Sequence, residues 1–227
     1  MHKLFLILSI SLLTLLLVSS VALAQDAPAD DTAVDDTSAP TPEGKGTFVI
    51  GLHVGPNIQG AFSPLKVFVQ PRLEIGANLP FLAQRFYIFG TAAYTAPTAE
   101  GTVPDTRVPD GEFSWDLTQT ELMFGLGVHF RFLPNGTIAN PYLGAGPQIY
   151  LLRTRVDGRA GGQEFGTNIE KYTKIGAYAA VGVEISLGPG SLFVQGTFGW
   201  ARLDRQITGR SNTGSITPSV GYRLMLF

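Results

Sequence analysis

The ionisable side chains that could carry chemistry in this chain recur two residues apart within apolar stretches. Arg72 and Glu74 show this spacing, and so do His129 and Arg131. Residues at every second position share one face of an extended strand. We therefore expect one ionisable face on each such strand. The complete set is Arg72, Glu74, Glu121, His129, Arg131, Lys174, Glu184 and Arg223.

Carboxylates and bases on one face either transfer protons or neutralise one another. A hydrolase needs a base held against a nucleophile or a water molecule. After residue 24 the chain has only His53 and His129 as histidines, and it has no Gly-x-Ser-x-Gly motif. The absence of cysteine excludes thiolate metal sites. We predict ion pairing in place of catalysis, with no cofactor and no metal.

The opposite face of the same stretches is apolar. The best example is residues 66–79, where one face is Val67, Val69, Pro71, Leu73, Ile75, Ala77 and Leu79. Long strands of this kind behind an export signal indicate a transmembrane β-barrel, because lipid offers no hydrogen bonds and the sheet must close on itself. The alternative is a soluble secreted binder of the lipocalin type, which would turn its polar face to water.

Clusters of glycine, proline and asparagine divide the chain into eight predicted strands. They are 46–55, 66–79, 86–96, 113–132, 141–154, 169–187, 192–203 and 213–227. Short links alternate with longer ones, at 56–65, 97–112, 155–168 and 204–212. The fold class we predict is all-β, an eight-stranded antiparallel up-and-down transmembrane barrel with short periplasmic turns and longer extracellular loops. Because Pro71, Pro147 and Pro218 lack a ladder donor, we expect bulges at them.

The chain before the barrel has two parts. Residues 1–24 have a cationic start, an apolar run and small residues at Ala22 and Ala24, which is typical of a cleaved signal peptide; the alternative is a membrane anchor. Residues 25–45 carry six acids and, apart from Lys45 at the end, no base, and we predict a disordered periplasmic tether. The barrel is predicted over 46–227.

Three short motifs carry a resemblance. They are Pro141 to Gly146, Gly221-Tyr222-Arg223 and the terminal Phe227. On these the chain resembles the small eight-stranded outer membrane barrels of the OmpA and OmpX type, the porin family. The resemblance implies a bacterial outer membrane location and recognition by the outer membrane assembly machinery.

The interior of an eight-stranded barrel is just wide enough to be filled by side chains. We therefore predict that the ionisable set pairs across the lumen and closes it, with Glu121 pairing with Lys174. The function predicted is structural or surface-interactive, without catalysis. The alternative is a narrow porin-like channel for ions or small solutes.

Arginines gather near the predicted outer rim. They are Arg153, Arg155, Arg159, Arg202, Arg205 and Arg210. Guanidinium groups suit phosphates, so five of these, Arg159 excepted, are predicted to contact outer membrane lipids, lipopolysaccharide in particular; the alternative is ordinary solvated charge. Residues 45–227 carry 15 bases against 12 acids, an excess that is too small and too dispersed for a nucleic-acid surface. We expect a monomer.

Overall fold

The backbone of the computed structural model is built from long antiparallel strands. The model describes residues 47–60, 63–80, 84–107, 111–134, 137–160, 163–202 and 212–226. The strands are β1 (Thr47–Asn57), β2 (Phe68–Asn78), β3 (Phe86–Thr95), β4 (Thr98–Pro104), β5 (Glu112–Arg131), β6 (Ala139–Ala160), β7 (Gln163–Leu187), β8 (Gly190–Arg202) and β9 (Asn212–Leu226). The predicted signal peptide, tether and terminal Phe227 lie outside the described residues, and so do Arg205 and Arg210.

The strands form one closed sheet. Their order is β3-β2-β1-β9-β8-β7-β6-β5-β4, and β3 also pairs with β5, which joins the two ends. Strands β3 and β4 lie end to end along β5, because β3 pairs with residues 121–130 and β4 with residues 112–118. They therefore count as one wall, and the predicted eight-stranded antiparallel barrel is confirmed. No helix in the described part of the chain is long and apolar enough to cross a membrane.

Side-chain alternation fixes which face of each strand turns inward. Along β1, Val49, Gly51 and His53 are buried, whereas the residues between them are exposed. Leu52 is 64% exposed and its neighbour His53 only 4%. The strand therefore turns its large apolar residues from Leu52 onward away from the barrel axis and His53 toward it, while Val49 and Gly51 fill the inward face below.

Two of the predicted outer loops are wrong. Residues 155–160 and 163–168 continue β6 and β7 as paired strand, with Arg155 opposite Ile169. Likewise, residues 98–104 form β4 instead of a loop. Charged and glycine-rich sequence reads as loop, but here the ladder of backbone hydrogen bonds runs beyond the apolar part of the strands. The barrel wall therefore extends above the band that lipid can cover.

The predicted proline bulges are also wrong. Pro71 lies opposite Val54 and Pro218 opposite Gly196, each in unbroken register. The register shift of β6 and β7 lies at Gly158 and Arg159 instead. Only near Pro147 is the β5–β6 ladder interrupted, between the pairs Gly125–Gln148 and Val128–Ala145.

Candidate functional site in the barrel interior

Four strands on different sides of the barrel bring the ionisable residues into its interior. Glu74 comes from β2, His129 and Arg131 from β5, Glu184 from β7, and Arg223 from β9. All are 5% exposed or less. The sequence placed them on inward faces, and the structure places them there.

A glycine on β1 makes room for the first contact. Gly51 pairs with Glu74 on one side and with Arg223 on the other. A Cβ atom at Gly51 would stand 3.1 Å from Glu74 Oε2 and 3.2 Å from Arg223 Cγ. Without that Cβ atom, the two side chains meet across β1.

The contacts form a chain of ion pairs. Arg223 donates from Nε to Glu74 Oε2 at 2.9 Å and from one terminal nitrogen to Glu184 Oε2 at 3.2 Å. Arg131 donates from Nε to Glu184 Oε1. The order across the lumen is therefore Glu74, Arg223, Glu184, Arg131, which we call the lumen ion-pair chain. Alternating signs allow each buried charge to face its opposite.

Neutral and aromatic partners complete the coordination of the lumen ion-pair chain. Arg131 also donates to Asn78 Oδ1 at 2.6 Å, and one Arg223 nitrogen lies 3.4 Å from His129 Nδ1. The guanidinium carbon of Arg223 lies 3.9 Å from the centre of the Phe193 ring and 5.1 Å from that of Tyr142. Such cation–π contacts favour a charged guanidinium away from water.

The sequence did not reveal this aromatic wall. Tyr87, Tyr142 and Phe193 are each at most 1% exposed and line the lumen. Residue type alone suggests the lipid face for such side chains. Their position in the alternation was the usable signal, since all three share parity with the inward residues of their strands.

One buried constellation has the composition of a hydrolase triad. Ser219 Oγ lies 3.1 Å from His53 Nδ1, and His53 Nε2 lies 3.5 Å from Glu74 Oε1. Glu74 is already paired with Arg223, and Ser219 is only 6% exposed. The three side chains form one buried row, with a hydrogen bond between Ser219 and His53 and a 3.5 Å contact between His53 and Glu74, and the hydroxyl is not exposed.

The outer half of the lumen is held mainly by amide and hydroxyl groups. Gln70 accepts from Asn57 at 2.6 Å and from Thr217 at 3.0 Å. Glu121 accepts from Gln59 at 2.8 Å and also from Gln119. The inner half is therefore closed by ion pairs and the outer half by weaker, mostly neutral bonds.

Two predicted lumen residues stand apart from the lumen ion-pair chain. Arg72 is 5% exposed, and it takes part in none of the ion pairs of the described residues. Lys174 is half-buried on the inward parity of β7. Its pairing with Glu121 stays a prediction.

The predicted outer arginines that the structure describes lie on strands β6 and β8, not on loops. Arg153, Arg155 and Arg202 are exposed. Arg155 donates to Asp157 at 2.9 Å. A hydrogen bond from Thr167, assisted by Arg155, holds the pKa of Asp157 below its ordinary value.

The outside of the barrel is apolar over a limited height. Along β6 the outward residues are apolar from Pro141 to Leu151, and Arg153 follows directly. Those 11 residues match the ~9–11 that a tilted strand needs to cross the hydrocarbon. Aromatic residues lie outward near both ends of the band, among them Phe132 and Trp200, each more than 40% exposed. A closed barrel with a polar interior and such an exterior defines the class of outer membrane β-barrels.

Solved structures of small outer membrane barrels resemble this chain. Neisserial surface protein A is 17% identical, with 80% of this chain and 99% of that one covered and a TM-score of 0.43. Ail, the attachment invasion locus protein of Yersinia pestis, is 14% identical over 79% and 97%, with a TM-score of 0.39. The N-terminal β-barrel domain of Pseudomonas aeruginosa OprF is 10% identical over 79% and 100%, with a TM-score of 0.41. No family model and no curated protein sequence matches the chain.

The described residues do not form a metal centre. In the described ranges, no three His, Asp or Glu side chains are grouped so that they could hold an ion. Most of the charged groups that are buried there pair with one another instead, as Glu184 does with Arg131 and Arg223.

Proposed function

We propose that this barrel has a structural or surface-interactive role in the outer membrane and that its lumen does not conduct. The observation that carries the proposal is the lumen ion-pair chain. Its four side chains come from β2, β9, β7 and β5, so the chain of contacts runs from one side of the wall to another. Each member is 5% exposed or less.

An ion passing through the lumen would have to displace the buried contacts of the lumen ion-pair chain. Arg223 contacts two carboxylates and stacks on Phe193. Removing one partner from a buried ion pair costs about 3–5 kcal/mol, because the other charge is left without compensation. Transient opening of several such pairs is therefore rare, and steady conduction is not expected.

Planar-bilayer recording tests the proposal. We expect purified barrel to insert without steady current steps. The variants Arg223→Ser and Glu184→Ala remove ion pairs of the lumen ion-pair chain and should raise the conductance. The variant Gln195→Ala, at a position farther toward the outer end of the lumen, should not. Reproducible steps from the unaltered protein would contradict the closed lumen and favour the alternative, a narrow pore.

We propose no catalytic role for the buried Ser219, His53 and Glu74 row. A working triad needs its carboxylate free to orient the histidine and its hydroxyl within reach of a substrate. Here Glu74 also bonds Arg223, and all three side chains are buried. If Ser219→Ala abolished an esterase activity of the purified barrel, this reading would be overturned.

The proposed partners lie on the outside. We propose that the barrel is a monomer inserted by the outer membrane assembly machinery and that its outer arginines contact lipid headgroups, above all those of lipopolysaccharide. Arg153 and Arg202 are exposed directly above the apolar band, which supports this contact. Replacing Arg153, Arg155, Arg202 and Arg205 by Gln should lower the amount of lipopolysaccharide that the purified barrel retains. Unchanged retention would remove the idea.

A further inference from the structure

We propose that Arg153 and Lys171 together bind one phosphate group of an acylated glycolipid in the outer leaflet, with an acyl chain of the same molecule lying in the depression below them. The proposal rests on the lipid contact proposed above and narrows it to one site. Lys171 was not among the predicted residues.

The two cations are direct neighbours on the outside of the wall. Arg153 on β6 and Lys171 on β7 are register partners, and both are exposed. Like charges directly opposite each other on one sheet face destabilise the pairing. An anion held between them would turn that repulsion into attraction.

No acid in the described part of the chain compensates this pair. Neither residue belongs to the ion pairs found there. Among the described residues, the outward neighbours one step away on β5, β6 and β7 are uncharged or basic. They are Thr118, Thr120, Leu122, Leu151, Arg155, Ile169 and Thr173.

Three other outer cations among the described residues differ in this respect. Arg155 donates to Asp157 at 2.9 Å, Arg159 lies 3.6 Å from Asp116, and Lys66 lies 2.6 Å from Glu100. A carboxylate already occupies the position that a phosphate would take. Arg153 and Lys171 are therefore a pair of neighbouring outer cations that has no acid beside it in the described residues, and they can bind an anion from outside the protein.

A depression in the wall accompanies the two charges. Its volume is about 360 Å³. Thr120 and Thr173 line it beside the cations, and Leu122 and Leu151 line it toward the membrane. Two hydroxyl donors, an ammonium and a guanidinium thus converge above an apolar wall, which is the polarity of a phosphate joined to an acylated sugar.

The apolar wall continues downward. A second depression of about 570 Å³ begins two residues further along the same faces, at Phe124, Ile149 and Ile175. Its lining includes Gly90, which has no side chain, Ala92, whose side chain is a single methyl group, and Pro147, where the ladder is interrupted. A flexible acyl chain fits such a depression because it has no polar group to satisfy.

Native mass spectrometry of the detergent-solubilised barrel tests the site with two matched lipids. The probes are lipid A with both phosphates and the same lipid A after phosphatase treatment. We expect the unaltered barrel to bind the phosphorylated form at least tenfold more tightly, as two charge-assisted contacts allow. Arg153→Gln with Lys171→Gln should abolish that preference, and the charge-conserving pair Arg153→Lys with Lys171→Arg should retain it.

The control is Arg155→Gln with Arg159→Gln, which removes the same charge from two cations that already have acids. Heat-dependent gel migration checks that every variant is folded. Loss of the preference in the control but not in the Arg153/Lys171 variant would overturn this site and leave the general lipid contact standing. Equal binding of both lipids by the unaltered barrel would overturn phosphate recognition as a whole. Competition by inorganic phosphate at equal concentration would overturn the role of the acyl chain.

Discussion

The two faces of a single strand of this barrel differ sharply in residue type and in exposure. On β2, Glu74 is 1% exposed inside, and the adjacent Ile75 is 47% exposed outside. A soluble protein distributes these residue types the other way round. The comparison shows that burial here is defined by the barrel axis and the lipid together, so the cost of a substitution depends on its face before it depends on its chemistry.

Removal of a charge from the interior should have the largest effect. We expect Arg223→Met to lower the free energy of unfolding by about 3–5 kcal/mol, because Glu74 and Glu184 each lose a partner in a dry interior. Urea titration of the barrel in lipid vesicles measures this. Arg72→Met is the matched control, since Arg72 is equally buried but stands outside those pairs. An equal loss in both variants would contradict the role of the lumen ion-pair chain.

Addition of a charge to the exterior is the converse experiment. Leu126 is 67% exposed in the middle of the apolar band. We expect Leu126→Arg to cost about 2–4 kcal/mol in vesicles, since an arginine there enters the hydrocarbon. Ile138 is even more exposed, at 76%, but lies in the link between β5 and β6. Ile138→Arg should therefore cost little, and similar losses at both positions would argue against a lipid-facing band.

Within the interior, loss of a neutral hydrogen bond should lower the free energy of unfolding less than loss of an ion pair. Gln70→Leu removes the acceptor for Asn57 and Thr217, and we expect a loss of about 2 kcal/mol, from two bonds worth ~1 kcal/mol each. Thr217→Val breaks only one of the two and should cost about half as much. The same vesicle titration measures both. A loss from Gln70→Leu as large as that from Arg223→Met would erase the distinction between the two halves of the lumen.

The smallest effect is expected at the exposed pair of Lys66 and Glu100. The hydrogen bond from Lys66 lowers the pKa of the Glu100 carboxyl. Any stability that it adds is present above the ordinary pKa of a glutamate and is lost as the pH falls through the lowered value. Lys66→Gln should return the pKa of Glu100 to its ordinary value in an NMR titration and leave the unfolding midpoint unchanged. A clear drop in that midpoint at neutral pH would show that surface pairs also hold the wall.

Alternation in the sequence was sufficient to predict the fold and the inward direction of the ionisable residues. Glu74, Glu184 and Arg223 could be placed inside from their spacing alone. Which of them would meet could not be predicted, because strand register depends on pairs far apart in the chain, such as Gly51 with Arg223. The extension of β6 past Thr154 was missed for a similar reason. Backbone pairing above the membrane tolerates charged residues that read as loop.

The pairing of two cations on the outside of the barrel could not be predicted from the sequence either. Arg153 and Lys171 are 18 residues apart in the sequence. They become neighbours only because β6 and β7 turn back on each other and pair along their length. The sequence shows that arginines gather near the outer rim, but it does not show their neighbours. The strand register shows which of these cations have an acid beside them and which do not.

Alternate residues of each strand face the lipid and the lumen in turn. Because the chain has no cysteine, single cysteines can be introduced and spin-labelled one at a time. The most direct measurement is the collision rate of such labels with oxygen, which dissolves in lipid, and with a water-soluble nickel complex. At Val194 and Val220, which are 59% and 48% exposed, we predict high oxygen and low nickel collision rates. At Gln195 and Ser219, we predict low oxygen access, and higher oxygen access there than at the two valines would contradict the account.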